Sequence, residues 1–261
     1  MPDLTQRVLW GGELSCQVPT CCVYIRSAAM INPNAKSAET QALFARLCAF
    51  CFPGGEEAAR RVRSVNLREH GGMCMSPGAR WIPFTAEEVI DCTQSSFRWT
   101  ARLDSGKITS PTVTDAYEAG HGQIVVKVGG ILSIQKVSGA DADKGEIQRY
   151  LSSIALCPAI LLNHSSLECT AVNDSTLRVR DRDDPTGSTV EIEISERGEP
   201  LACRADRPRL VGRRTIVTPW SGMCSEFCEW RGLRVASRLE VQWHLPEGPF
   251  TCYRSEITSW K

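Results

Sequence analysis

Cys48 and Cys51 stand two residues apart, the spacing of half a zinc knuckle, and Cys224 with Cys228 forms a second close pair. Geometry argues against both. Zinc-bound sulfurs lie about 2.3 Å from the metal, whereas four residues of extended strand cover about 13 Å, so Cys224 and Cys228 would need a bulge between them. Cys48 and Cys51 fall at the end of a helical pattern, far from the N-terminal dipole that lowers a thiol pKa. Packing on an apolar face is therefore the first expectation for this pair, and a metal or redox role comes behind it.

The histidines at 70, 121, 164 and 244 are too far apart in sequence to mark a motif, although a Ser/His/Asp set can assemble in space. Two carboxylates and an imidazole could do general acid–base work if Asp115, His121 and Glu240 converged in one cleft. Glycine-rich phosphate loops, the helical zinc-protease pattern and the Gly-x-Ser-x-Gly elbow are absent. Arg204, Arg207, Arg209, Arg213 and Arg214 form a basic run that suits either phosphate or lipid headgroups or a solvated strand edge. Tryptophan gathers near the C-terminus at 220, 230, 243 and 260, with Trp81 and Trp99 earlier. An indole is large and carries one donor, so it favours pocket walls and core edges.

Three helices are expected. Ser37 can cap the first, whose Leu43, Phe44, Leu47, Phe50 and Cys51 recur at helical spacing until Pro53-Gly54-Gly55. Thr85 and Glu88 have the capping-box spacing of a short second helix. Asp143 can cap the third, in which Ile147, Tyr150, Leu151, Ile154 and Ala155 make one apolar stripe ending before Pro158. Glu146 and Arg149 lie a turn apart on it and can pair.

Nearly everything else reads as strand: 61–69, 97–103, 108–117 and 123–128, then hairpins over 168–172, 177–180, 190–194, 201–205, 220–230, 233–243 and 250–260. Val190, Ile192 and Ile194 alternate with Glu191, Glu193 and Ser195, which buries one face only. Short connections make neighbours antiparallel. The fold class is α+β: a long curved antiparallel sheet, half-barrel-like, with about three helices, one packed on the sheet face. Residues 1–36 read as an irregular N-terminal segment and 37–261 as one α+β domain.

Composition limits the functions. Thirty Lys and Arg balance thirty Asp and Glu over 261 residues, so no global charge draws the chain to nucleic acid or an acidic surface. No stretch reaches the roughly 20 apolar residues of a membrane-spanning helix. Gly11-Gly12-Glu13 ends the run Val8-Leu9-Trp10 too early for a secretory signal, and Glu13 occupies the aliphatic place of a lipobox before Cys16. The thirteen cysteines are scattered in a chain too large to need disulfide staples, so reduced thiols in the cytoplasm are expected.

Six blocks carry a family resemblance. They are Arg80-Trp81-Ile82-Pro83-Phe84-Thr85-Ala86-Glu87-Glu88, Phe97-Arg98-Trp99-Thr100-Ala101-Arg102, Asp115-Ala116-Tyr117-Glu118-Ala119-Gly120, Gly145-Glu146-Ile147-Gln148-Arg149-Tyr150-Leu151, Thr218-Pro219-Trp220-Ser221-Gly222, and the stretch from Glu240 through Trp243 to Pro249. In order and spacing they resemble an uncharacterised bacterial protein family of unknown function, from about residue 37 onward. The chain departs from that pattern at Leu156-Cys157-Pro158-Ala159 and at Cys252. The expected layout is similar in outline to periplasmic lipoprotein-carrier half-barrels.

The leading expectation is a non-enzymatic binding module with no cofactor. It holds an apolar small molecule, lipid or acyl chain on the concave sheet face, with Glu146, Arg149 and Tyr150 on the covering helix and Trp220, Glu240, Trp243, Tyr253 and Arg254 along the wall. The alternatives are a hydrolase or isomerase using Asp115, His121 and Glu240, and the metal or redox role of Cys48 and Cys51. The oligomeric state is left open.

Overall fold

A computed structural model describes residues 37–104, 106, 110–129, 132–212 and 214–261. The irregular segment expected at 1–36 lies outside the described residues, as do Ile108 and Arg213.

The described residues form thirteen strands and four α-helices. Helix α1 (Ala38–Cys51) starts where Ser37 was expected to cap it, the Thr40 N–H donating to Ser37 Oγ at 3.1 Å. Helix α2 (Glu56–Arg60) follows, a short turn of helix that the sequence pattern did not announce. Six strands then run back and forth: β1 (Ser64–Met73), β2 (Ile82–Asp91), β3 (Phe97–Leu103), β4 (Thr112–Glu118), β5 (His121–Val128) and β6 (Leu132–Ser138).

The helix expected at Thr85 is part of β2. Phe84, Ala86, Glu88 and Ile90 are buried while Thr85, Glu87 and Val89 are exposed, a period of two that outweighs the capping-box spacing.

Helix α3 (Ala140–Ser152) begins four residues before the expected start, with Gly139 rather than Asp143 in the cap position. Asp143 is not its cap: the Gly122 N–H donates to Asp143 Oδ1 at 2.7 Å, tying the helix to β5. A Cβ at Gly122 would stand 2.2 Å from the Ala142 carbonyl oxygen, so only glycine allows the helix to lie this close. A 3₁₀ turn (Ser153–Ala155) and α4 (Ile160–Asn163) lead to β7 (Leu167–Ala171), β8 (Thr176–Asp181), β9 (Val190–Ile194), β10 (Pro200–Val211), β11 (Arg214–Trp230), β12 (Leu233–Leu245) and β13 (Gly248–Trp260).

All strands share one antiparallel sheet in the order β6-β5-β4-β3-β2-β1-β13-β12-β11-β10-β9-β8-β7. The chain meanders outward from β1 to one edge, β6, and returns from the other edge, β7, until β13 pairs with β1. The segment between β6 and β7 must therefore cross from edge to edge, and this carries α3 over one face of the sheet. Helix α1 covers the β7, β8 and β12 end, where the Ala171 N–H donates to Thr40 Oγ1 at 2.9 Å.

The sheet is open and curved. One cavity is lined from β1, β2, β3, β4, β10, β11, β12 and β13 together. In a flat sheet those eight neighbouring strands would spread over roughly 34 Å at the usual spacing. A sheet this wide is expected to curl, and register shifts at Arg68/Glu69 and Val241/Gln242 add local bends.

Candidate functional site

Strand alternation builds the site. In β1 the inward residues run Val65, Leu67, Glu69; in β2, Phe84, Ala86, Glu88, Ile90; in β4, Val113 and Asp115. Each strand thus places one carboxyl in a slot where its neighbours are apolar. From the other limb of the sheet come Arg207 and Cys203 of β10, Trp220 and Cys224 of β11, Leu239, Val241 and Trp243 of β12, and Tyr253 of β13. Helix α3 lies across the gap and contributes Arg149. The space between them is about 270 Å³ and is partly open to solvent. That is well above the roughly 150 Å³ of an apolar cavity that takes up benzene.

Arg149 organises the polar end. Its Nη1 donates to Asp115 Oδ2 at 2.6 Å and its Nη2 to Glu88 Oε1 at 3.3 Å. The guanidinium carbon sits 5.0 Å from the Phe97 ring centre and 4.9 Å from that of Trp99. Burial pulls the Arg149 pKa down, but Glu88, Asp115 and Glu146 outweigh it and hold the guanidinium charged beyond its ordinary value. Burial raises Asp115, with Arg149 and Arg207 opposing. Glu88 is pushed up to about 7 by burial, again against Arg149. Glu146 is pushed up to about 8 by burial and by the neighbouring Asp115 charge.

Glu69 anchors the β1 side. Its Oε1 accepts from the Tyr253 hydroxyl at 2.6 Å and from Trp99 Nε1, while its Oε2, also buried, has no partner. Arg207 lies over the Trp220 ring at 4.9 Å and donates through Nη2 to the Gly145 carbonyl at 2.6 Å, its Nε unfilled.

Of the expected ligand-binding residues, the structure brings Arg149, Trp220, Trp243 and Tyr253 to this cavity. Glu146 is buried on α3 within the same charge cluster and does not line the cavity. Tyr150 lies in the core, its hydroxyl donating to the Asp91 carbonyl at 2.9 Å. Glu240 and Arg254 are on the opposite face, paired at 2.7 Å, because they alternate with the inward Leu239, Val241 and Tyr253. Glu69, Glu88 and Arg207 were missed as site residues, although a charged residue in the inward slot of an alternating strand marks the first two.

The acid–base set does not assemble. Asp115 faces the cavity, Glu240 faces outward, and His121 is exposed, its Nδ1 standing 3.8 Å from Asp143. A different Ser/His/Asp group does meet: Ser95 Oγ donates to Asp181 Oδ2 at 2.6 Å and lies 3.1 Å from His164 Nε2, itself 3.4 Å from Asp181. A catalytic relay needs the acid and the nucleophile on opposite ring nitrogens. Here both touch Nε2, and the buried Nδ1 has no partner. The group ties the β2–β3 connection to β8.

Cys48 and Cys51 are fully buried. Burial raises both thiols, Cys51 to about 12, which opposes the thiolate that metal binding and redox chemistry require. Among the described residues no group of three or more His, Cys, Asp or Glu could hold a metal ion. The basic run is split by alternation. Arg204 pairs with Glu193 at 2.8 Å on the outside, Arg207 is inside, and β10 lies between β9 and β11, so it is not a sheet edge.

In comparisons of structure, the chain is similar to the LolA superfamily protein from Nitrosomonas europaea, at 10% identity and a TM-score of 0.47, covering 86% of this chain and 94% of that one. It is likewise similar to a DUF1329 family protein from Desulfovibrio piger, at 10% identity and a TM-score of 0.48, covering 86% and 93%. No curated protein matches the sequence. Among the described residues no helix is long and apolar enough to cross a membrane. In sequence, residues 50–255 match the family of unknown function DUF6544, and the chain belongs to that family.

Proposed function

We propose that the protein is a non-enzymatic binding module that holds a small apolar or amphipathic ligand between the curved sheet and α3. The carrying observation is the cavity itself. A protein interior is normally packed to crystal density. Here about 270 Å³ stays open between Met73, Val113, Leu156, Leu239, Val241 and Trp243. A mainly apolar wall with a few convergent polar groups is the usual make-up of a small-molecule site. The cavity reaches the last residue of β1 and the second residue of β4, so its apolar part extends toward one rim of the sheet.

A reducing compartment suits the thiols. All ten described cysteines are free, and the Cys92 and Cys157 sulfurs lie 3.2 Å apart without a bond.

The test uses the full chain and a neutral solvatochromic dye such as Nile red. The wild type is expected to bind it with a blue-shifted emission, and Val241→Trp, which fills the cavity, is expected to abolish binding while the thermal unfolding transition persists. Absence of binding by the wild type, or equal binding by the filled variant, sinks the proposal.

A further inference from the structure

The polar end of the cavity holds more acidic groups than basic ones. Glu69, Glu88, Asp115 and Glu146 converge there, against Arg149 and Arg207. Four carboxyls face two guanidiniums. Arg149 is already engaged by two of the acids, and Arg207 gives a donor to a backbone carbonyl and its face to Trp220.

The unfilled atoms point the same way. Glu69 is 4% exposed and lines the cavity, and its Oε2 accepts no hydrogen bond. Asp115 Oδ1, on the same wall, is also buried and unfilled, and so is Glu146 Oε2 behind it. A buried carboxylate oxygen without a donor costs more than its net worth when bonded, so such atoms mark the place where a donor is to arrive. Arg207 Nε is an unfilled buried donor at this end, beside these three acceptors.

We infer that the ligand of this cavity is an amphipath whose head carries N–H donors and a positive charge, an alkylammonium type, with the head at Glu69 and Asp115 and the apolar body against Val113, Leu239, Val241 and Trp243. The inference rests on the binding-module reading and specifies its ligand. An anionic head would add a fifth acid to the cluster and leave the Glu69 and Asp115 oxygens empty. A cationic head supplies both and brings the count toward balance. A neutral alcohol can fill one oxygen without correcting the charge.

Protons are the competing occupant. Glu88 and Glu146, held well above ordinary carboxyl values by burial, keep protons near neutrality when no cation is present. The other titratable groups on the cavity, Tyr253 and the thiols of Cys203, Cys224 and Cys252, are all raised by burial and stay protonated. An ammonium head therefore releases protons as it binds, and its affinity rises between about pH 6 and pH 8.

The experiment is titration calorimetry of the intact protein with octylammonium and octanoate, each below its micelle concentration, and with octanol below its solubility limit. Octylammonium is expected to bind about tenfold or more tightly than octanoate, with octanol between them, and Glu69→Gln is expected to remove about tenfold from octylammonium alone. Octanoate binding as well as octylammonium overturns this inference and leaves the apolar-ligand reading standing. If none of the three binds, both fall. Should Glu69→Gln fail to fold, the order of the three ligands on the wild-type protein still decides.

Discussion

The concave face of the sheet has two ends, built from the same alternating strands and finished in opposite ways. Under α1, the space between helix and sheet is filled: Phe44, Leu47, Cys48, Cys51, Leu177, Ile192, Leu233 and Val235 are all at most 1% exposed. Under α3, the sheet presents Glu69, Glu88, Asp115 and Arg207, the helix presents Arg149, and a cavity remains. The difference is one of side-chain chemistry. Branched and aromatic groups close space because contact is their only gain. Charged groups instead hold a fixed hydrogen-bonding geometry with their partners, because a buried charge is costly unless it is paired. The hollow and the inward-facing charges thus occur at the same end of the sheet.

That contrast can be broken at its strongest point. Arg149→Met keeps the volume of the side chain and removes the charge that Asp115 and Glu88 share. It is expected to cost about 3–5 kcal/mol, because it leaves buried carboxyls without their partner. Urea denaturation measures it, and a cost under 1 kcal/mol would mean that the cluster does not organise the α3 end. Next comes a matched pair of truncations. Leu47→Ala, in the filled end, is expected to cost about 3 kcal/mol, and Leu239→Ala, on the cavity wall, about 1 kcal/mol, since one opens a new hole and the other enlarges an old one. Equal losses would show that both ends are packed alike.

A pH slope tests the α3 end separately. Folded Glu146 keeps its proton to about 8, whereas its ordinary value is 4.5. Between those values the unfolded chain binds fewer protons than the folded one, so stability falls as the pH rises, by at most about 1.4 kcal/mol per pH unit for one group. Glu88 adds the same sign over a window that ends near 7. Denaturation midpoints followed from pH 5 to pH 8 should therefore decline, Glu146→Gln should flatten the decline, and Glu240→Gln on the outer face should leave it unchanged. A wild-type profile that rises across this window contradicts the assignment.

Much of the architecture was legible in the chain. The strands at 97–103 and 190–194 coincide with β3 and β9 because both alternate cleanly and end at turn residues. Ser37 announced α1, and the apolar stripe from Ile147 to Ala155 announced the middle of α3. Where two local signals competed, the one that satisfied fewer backbone groups gave way. Thr85 and Glu88 carry capping-box spacing, but pairing of β2 with both β1 and β3 satisfies its whole backbone and buries one face. The close seating of α3 on β5 was invisible, because it depends on Gly122, which lies eighteen residues before the helix in sequence and against it in space.

The sequence by itself determined a run of antiparallel strands with one greasy side, a helix able to lie on them, and the residue types available for a site. These follow from periodicity and turn chemistry, which act over a few residues. Which limbs meet was decided only in three dimensions. Asp115 and Arg207 lie on strands remote in both sequence and sheet order, and they share a cavity because the sheet curls and α3 crosses from one edge to the other. The same curvature and a one-residue alternation turned Glu240 and Arg254 outward while their neighbours faced in. Side-chain direction along a strand flips with every residue, so a shift of one place in register exchanges a binding wall for a solvent face.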